Sequence, residues 1–259
     1  MRITSTANDN IKHVRALQAK SRARRNANQF VIEGVNLLEE ALETGTPIDE
    51  IYYTEGFAED GDALLLALSE TGAPLIPVSA EVMEAISDTQ SPQGILAVLP
   101  TPTISPTDEI TLALVIDGVS DPGNMGTIMR SAVGAGIDVM IVTTGTVDLT
   151  NPKVVRSAMG AHFRLPVQRL SWEGIASRYG NHILFLAEPS GGAPHHSIDW
   201  TQPAVLIVSD ETQGPSEDAA RLAHVRVSIP MAGGFDSLNV AVAASVMMFE
   251  AVRQRREAQ

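Results

Sequence analysis

The sequence predicts an α/β protein with two domains. Short apolar runs typical of strands alternate with stretches of helical periodicity along most of the chain. One segment, residues 100–107, carries three prolines among threonine and serine, and this composition disfavours both helix and sheet. We therefore expect an N-terminal domain at residues 1–99, a proline-rich linker at 100–110 and a second domain at 111–259.

The first domain is predicted to open with one basic helix and to continue as a small α/β unit. The helix covers residues 8–25, where basic side chains are dense. Further helices are expected at residues 33–43, 58–69 and 80–86, and strands at 30–32, 51–53, 75–78 and 93–99.

The second domain shows the same alternation with longer apolar runs. Strands are expected at 112–116, 138–142, 182–187, 204–208 and 225–229, and helices at 124–135, 151–158, 172–178, 215–221 and 237–255. This order favours a mostly parallel sheet covered by helices. The last helix is rich in alanine and valine over its first half, which predicts that it is buried.

Composition narrows the function. The chain has 259 residues and no cysteine, which excludes disulfides and thiolate metal sites and fits a cytoplasmic protein. No apolar run has membrane-spanning length, and residues 1–4 lack a signal-peptide core. The adjacent pair His195-His196 does not have zinc-ligand spacing, so we expect no metal site.

A polar turn after the strand at 112–116 is the most informative feature of the chain. The segment Asp117–Arg130 reads DGVSDPGNMGTIMR and lacks the spacing of both the dinucleotide fingerprint and the phosphate loop. Asn124 lies in the turn, and Arg130 follows in an apolar helix. An arginine on the buried side of a helix is costly unless it meets an anion or a polar partner. Both residues are therefore candidates for a site, the alternatives being a turn asparagine and a structural arginine.

Two later segments repeat this arrangement of strand and polar turn. The first is VLIVSDETQGP at residues 205–215, in which Glu211 follows the strand and its carboxylate could bind Arg130 or a substrate. The second joins SIPM at 228–231 through a glycine loop to SLNVAVAA at 237–244. Ser237 is expected to cap the last helix, and Asn239 in its first turn must find a polar partner.

Together the three segments resemble the signature motifs of the TrmH/SpoU class of RNA 2'-O-ribose methyltransferases in the SPOUT superfamily. The resemblance covers about residues 112–256 strongly and residues 1–98 more loosely, as an RNA substrate-binding extension similar to ribosomal protein L30e. It implies a knotted (trefoil) catalytic domain, a homodimer, and S-adenosylmethionine as the methyl donor.

The resemblance also implies roles for particular residues. Arg130, Asn124, Glu211, Ser237 and Asn239 match catalytic positions, with Arg130 steering the ribose proton or stabilising the developing alkoxide. The loops that border the cofactor in that family correspond to Ser209, Ile229, Leu238, Met231 and Gly214. The family usually has glycine where this chain has Ser209, and a side chain there could crowd the cofactor.

The charge distribution places the expected RNA contacts. The formal net charge is −13, yet seven of the 18 basic residues lie in the first 25, and none lies between residues 26 and 129. The basic N-terminal segment and the second domain are thus the predicted RNA-facing regions, unless the first is only a solvated helix. Ribosomal RNA is the favoured substrate; a transfer RNA methyltransferase and a non-catalytic RNA-binding protein of the same fold remain the alternatives.

Overall fold

The chain forms two compact units, each with its own sheet. The computed structural model describes residues 2–232 and 237–258; Gly233 and Gly234, predicted to form the glycine loop, lie outside them. The N-terminal unit comprises Met1–Pro102 and Asp148–Phe163, and the C-terminal unit comprises Thr103–Val147 and Arg164–Gln259. The segment 148–163, expected with the second domain, therefore folds with the first. The predicted assignment of RNA binding to one domain and catalysis to the other stays a prediction.

The N-terminal unit is built on a four-stranded mixed sheet. Its strands are β1 (Gln29–Glu33), β2 (Glu50–Thr54), β3 (Leu75–Val78) and β4 (Ile95–Pro100), in the spatial order β1-β4-β2-β3. Strand β4 is antiparallel to both neighbours, and β2 is parallel to β3. Alternate residues of β1 and β4 enter two cores on opposite faces of the sheet, as the period of two requires.

Seven helices accompany this sheet among the described residues. They are α1 (Asp9–Ala19), α2 (Ser21–Ala27), α3 (Val35–Glu43), α4 (Glu55–Asp60), α5 (Asp62–Ser69), α6 (Ala80–Ile86) and α8 (Pro152–Ala158). The single helix expected at 8–25 is wrong, because Lys20 is extended and separates α1 from α2. The helix expected at 58–69 is likewise divided at Gly61, where a Cβ would lie 2.5 Å from the ring of Phe57.

A buried ion pair fixes the 148–163 segment within the N-terminal unit. The Arg24 side chain, only 4% exposed, donates to Asp148 Oδ2 over 2.6 Å and to the carbonyl of Leu17 over 2.7 Å. Val155 and Phe163 enter the same core as Phe30. The expected contribution of Arg24 to an exposed basic face is therefore wrong, because its charge is used inside the unit.

His162 is also a structural residue of this segment. Its ring lies 5.8 Å from that of Phe30, and its Nε2 lies 2.8 Å from the carbonyl oxygen of Leu149. Burial lowers the pKa of His162, against the opposing effects of the Leu149 carbonyl and Asp148. The imidazole is therefore buried rather than presented to a ligand.

The C-terminal unit contains a seven-stranded sheet. Its strands are parallel, as the sequence predicts for most of them. Its strands are β5 (Leu112–Asp117), β6 (Val139–Val142), β7 (Val167–Arg169), β8 (Ile183–Ala187), β9 (Ala193–Pro194), β10 (Ala204–Ser209) and β11 (Val225–Ser228). The spatial order is β7-β6-β5-β10-β8-β11-β9, and each pair of neighbours is parallel. The short strands β7 and β9 were not expected, since three and two residues are too few to show a period.

Helices α7 (Pro122–Gly134), α9 (Trp172–Tyr179), α10 (Glu217–Leu222) and α11 (Val240–Glu257) belong to this unit. Helix α11 is fixed at its C-terminal end by Arg255, which donates to the carbonyls of Trp200 and Thr111 over 2.8 Å each. Within the described residues, no helix is long and apolar enough to cross a membrane.

Candidate active site

The three polar turns meet at the carboxyl ends of the parallel strands. Strand β5 runs into the turn before α7, β10 into the turn before α10, and β11 into the segment before α11. Strands β5 and β10 are direct neighbours, and β8 separates β10 from β11. In open parallel sheets this edge is where ligands bind, because the loops that follow the strands converge there.

One cavity at this edge collects the predicted cofactor residues. All five of them line it, and so do two of the predicted catalytic residues: Ser209, Gly214, Ile229, Met231, Leu238, Glu211 and Ser237. The wall also includes Val208, Asp210 and Met247. The cavity is therefore apolar along its side-chain walls and polar at the end of β10.

Gly214 shows why the turn after β10 needs a glycine. Its φ is +69°, in the left-handed region that residues with a Cβ adopt only with strain. No other group lies within 4 Å of the position that a Cβ would occupy, so backbone conformation rather than space makes the requirement. Ser209, in contrast, ends a regular strand and places its side chain at the cavity.

Asn239 joins α11 to α7. Its Oδ1 accepts from the N–H groups of Ala241 and Val242, and its Nδ2 donates to Asn124 Oδ1 over 2.8 Å. Asn239 is therefore the N-cap, and α11 begins at Val240. The expectation that Ser237 caps this helix is wrong; Ser237 is an exposed residue of the cavity wall.

Glu211 meets a helix terminus rather than an arginine. Its Oε1 accepts from the backbone N–H of Val240, the first residue of α11. A carboxylate is favourable there because it accepts from an otherwise unsatisfied N–H at the positive end of the helix dipole. Of its two expected partners, Arg130 and a substrate, Arg130 does not pair with Glu211 among the described residues.

Arg130 lies on the exposed side of α7, so its expected place on the buried side is wrong. It forms no hydrogen bond or ion pair with any residue that the structure describes, and it does not line the cavity. Arg130 lies six positions after Asn124 on the same helix, which corresponds to a rise of about 9 Å along the axis. Its guanidinium is therefore available to a ligand or to another chain.

Asp210 is a residue of this site that the sequence interpretation missed. Its Oδ1 accepts from the N–H and hydroxyl of Thr212, over 3.0 and 2.6 Å, and its Oδ2 accepts from the N–H and hydroxyl of Ser120, over 3.2 and 2.8 Å. The bonds from Thr212, followed by those from Ser120, lower the pKa of Asp210. An Asp with Thr two residues later indicates a local turn, but nothing in the sequence indicates the bond to Ser120.

A parallel α/β sheet with a loop-built cavity at its carboxyl edge and a polar cluster beside it is typical of enzymes that bind a nucleotide-like cofactor. The chain belongs to the SpoU rRNA methylase family, whose model matches residues 111–249. A second model, for an MRM3-like substrate binding domain, matches residues 8–97.

Relatives in bacteria match over nearly the whole chain. The 23S rRNA (guanosine(2553)-2'-O)-methyltransferase of Bacillus subtilis is 33% identical, covering 95% of this chain and 97% of its own. The 23S rRNA (uridine(2479)-2'-O)-methyltransferase of Streptomyces viridochromogenes is 32% identical, covering 98% and 92%. The crystal structure of an AdoMet-bound rRNA methyltransferase from Sinorhizobium meliloti superimposes with a TM-score of 0.85 at 29% identity, covering 98% and 97%.

Proposed function

We propose that the protein transfers a methyl group from S-adenosylmethionine to a ribose 2'-hydroxyl of ribosomal RNA. The observation that carries this proposal is the convergence of three separate loops on one cavity lined by Ser209, Gly214, Ile229, Met231 and Leu238. The Bacillus subtilis and Streptomyces viridochromogenes relatives support the substrate class, since both are named 23S rRNA 2'-O-methyltransferases. They modify different nucleosides, so the target nucleotide is left to experiment.

The cavity residues fit S-adenosylmethionine. Ile229, Leu238 and Met231 offer apolar walls for a flat base, and the loops that carry them would present backbone N–H and carbonyl groups to its polar edge. Ser209 is small and adds a hydroxyl that can donate or accept. Among the described residues no cluster of side chains could hold a metal ion, and the proposed transfer depends on close approach and alignment.

S-adenosylmethionine supplies an electrophilic methyl group when it is bound. The chain's own contribution is to orient the ribose and to stabilise the charge that develops on its oxygen. Asn124, held by Asn239, presents an amide that suits a ribose hydroxyl. Arg130 supplies a planar cation that can hold the neighbouring phosphate and stabilise the developing alkoxide.

Comparison of RNA from cells with and without the gene tests the proposal. Mapping of 2'-O-methylation across ribosomal and transfer RNA is expected to show one ribosomal site that disappears with the gene. The purified protein is also expected to bind S-adenosylmethionine by calorimetry with a dissociation constant near the micromolar range, about −8 kcal/mol. A lost site in transfer RNA would instead favour the tRNA enzyme, and no binding at millimolar cofactor would favour a non-catalytic RNA-binding protein.

We further propose that the active site is completed in a homodimer through α11. Val242, Val246 and Phe249 are 47%, 37% and 48% exposed, although Val240, Met247 and Met248 of the same helix are buried. The exposed three follow a spacing of four and three residues, so they share one face. A contiguous row of exposed apolar side chains on one helix face is typical of an association site. Ser245 of this helix donates to Ser131 over 2.7 Å, next to Arg130.

Hybrid dimers test whether Arg130 serves the cavity of a partner. Arg130→Ala removes the guanidinium, and Leu238→Arg places a bulky cation in the cavity wall, so each homodimer is expected to be inactive. If both are mixed and re-equilibrated, half of the dimers are hybrids with one intact site, which predicts roughly a quarter of wild-type activity. A monomer in light scattering contradicts the dimer. A dimer without recovered activity places the whole site in one chain.

Three features expected from the sequence stay predictions: the trefoil knot that the resemblance implies, RNA binding by the basic N-terminal segment, and a cytoplasmic location. The exposed lysine Lys12 pairs with Asp9 over 2.8 Å, and Arg2 pairs with Glu55 over 2.8 Å. Exposed pairs of this kind are weak, so they do not prevent these cations from meeting phosphates.

A further inference from the structure

The three loops of the cavity are joined to one another by a closed ring of hydrogen bonds. Ser120, in the β5–α7 loop, donates to Asp210, in the loop after β10. Glu211 of that second loop accepts from Val240 at the start of α11. Asn239, at the same helix start, donates to Asn124 in the first turn of α7. Because α7 follows the β5–α7 loop directly, this bond closes the ring.

Asp210 has a distinct place in this ring. It lines the cavity, whereas its partner Ser120 does not. Each of its carboxylate oxygens accepts two bonds, one pair from Thr212 in its own loop and one pair from Ser120 in the β5–α7 loop. Bonds to an ionised acceptor are shorter and stronger than neutral ones. A displacement of Asp210 in the cavity wall therefore also displaces Ser120 and the β5–α7 loop.

The adjacent backbone strengthens this connection. The N–H of Asp210 donates to the carbonyl of Asp117 over 3.3 Å, and buried Asp117 accepts from the N–H of Ser216 over 2.7 Å. The two loops are thus joined on both sides of Asp210. Among these bonds, those from Ser120 reach the part of the first loop that leads into α7.

We infer that Asp210 is a positioning residue, which holds the β5–α7 loop against the cofactor loop through Ser120 and so aligns Asn124, in the first turn of α7, with the bound methyl donor. Asp210 acts through Ser120 and Asn124 and does not itself exchange a proton or bond to the ribose. This inference rests on the proposed function. It predicts that the Ser120–Asp210 bond contributes to turnover more than to cofactor affinity.

Threonine and valine have nearly the same shape, so substituting each for Ser120 separates the effect of the hydroxyl from the effect of side-chain shape. Ser120 is exposed, so both β-branched residues have room there. Ser120→Thr keeps the donor and is expected to keep kcat within about twofold of wild type. Ser120→Val removes only the donor and is expected to lower kcat about tenfold, the effect of one bond to a charged group on the barrier. Calorimetry is expected to give nearly the same affinity for S-adenosylmethionine in both variants.

The Asp210→Asn variant and the double variant with Ser120→Val complete a mutant cycle. The two losses in kcat are expected to be less than additive, because Asp210→Asn removes the charge and one acceptor oxygen and so weakens the bond that Ser120→Val removes. Thr212→Val is the control: it removes a bond to Asp210 within one loop and is expected to change kcat less than Ser120→Val. Thermal unfolding of all variants shows whether losses follow stability.

Each failure has its own meaning. A wild-type protein without S-adenosylmethionine binding or RNA methylation overturns the proposed function before any variant is made. An active wild type in which Ser120→Val equals Ser120→Thr in kcat overturns only the role of Asp210. Additive losses, or a loss of kcat that follows the melting temperature, also overturn it.

Discussion

Replacement of Arg130 by alanine is expected to lower kcat by about 100-fold or more while leaving S-adenosylmethionine affinity nearly unchanged. Removal of one group that stabilises developing charge commonly has an effect of this order. The affinity should persist because Arg130 does not line the cavity of its own chain. Single-turnover methylation of the target RNA and calorimetry with the cofactor measure the two quantities.

Arg130→Lys and an arginine elsewhere in the same unit serve as comparisons. Lysine keeps the charge but lacks the planar fork, so we expect this variant also to be strongly impaired. Arg253 is half exposed and pairs with Glu250 and Glu257 on α11, so Arg253→Ala should retain near wild-type turnover. Wild-type kcat in Arg130→Ala would remove Arg130 from the mechanism.

Replacement of Arg24 by methionine is expected to destabilise the N-terminal unit by about 3 kcal/mol. Breaking a buried ion pair from one side leaves the other charge without its partner, which typically costs 3–5 kcal/mol. The lower end applies because the side chain of Asp148 is 18% exposed and keeps its bonds from Thr150. The shift of the urea midpoint for the N-terminal unit measures the loss.

Arg25→Met is the matched control for this prediction. Arg25 is the neighbouring arginine, but it is exposed, and among the described residues its guanidinium donates to the Ser21 hydroxyl over 2.9 Å. We expect a change within about 0.5 kcal/mol. Equal midpoints for the two variants would contradict the structural role of Arg24. Faster proteolysis within residues 148–163 of Arg24→Met alone would support it, because that segment depends on the pair.

Local pattern determined much of what the sequence could predict about this protein. The apolar runs of β5 and β10 lie buried on both faces of the sheet, which makes such strands easy to recognise. The segments at 75–78 and 80–86 were predicted with the bounds that the structure has. The residues that the family resemblance assigned to the cofactor also line a single cavity.

Tertiary structure decided the features that depend on partners distant in the chain. Asp148 lies 124 residues from Arg24, and their pairing assigned a segment to its unit and buried a cation that composition had placed on the surface. Ser120 and Asp210, 90 residues apart, form a bond that neither local pattern indicates. Glu211 accepts from the N-terminus of α11, whereas Arg130 lies exposed on the surface, so the two do not pair. Periodicity records which side of an element is buried, but the polar atoms that meet are chosen only when the strands and helices are assembled.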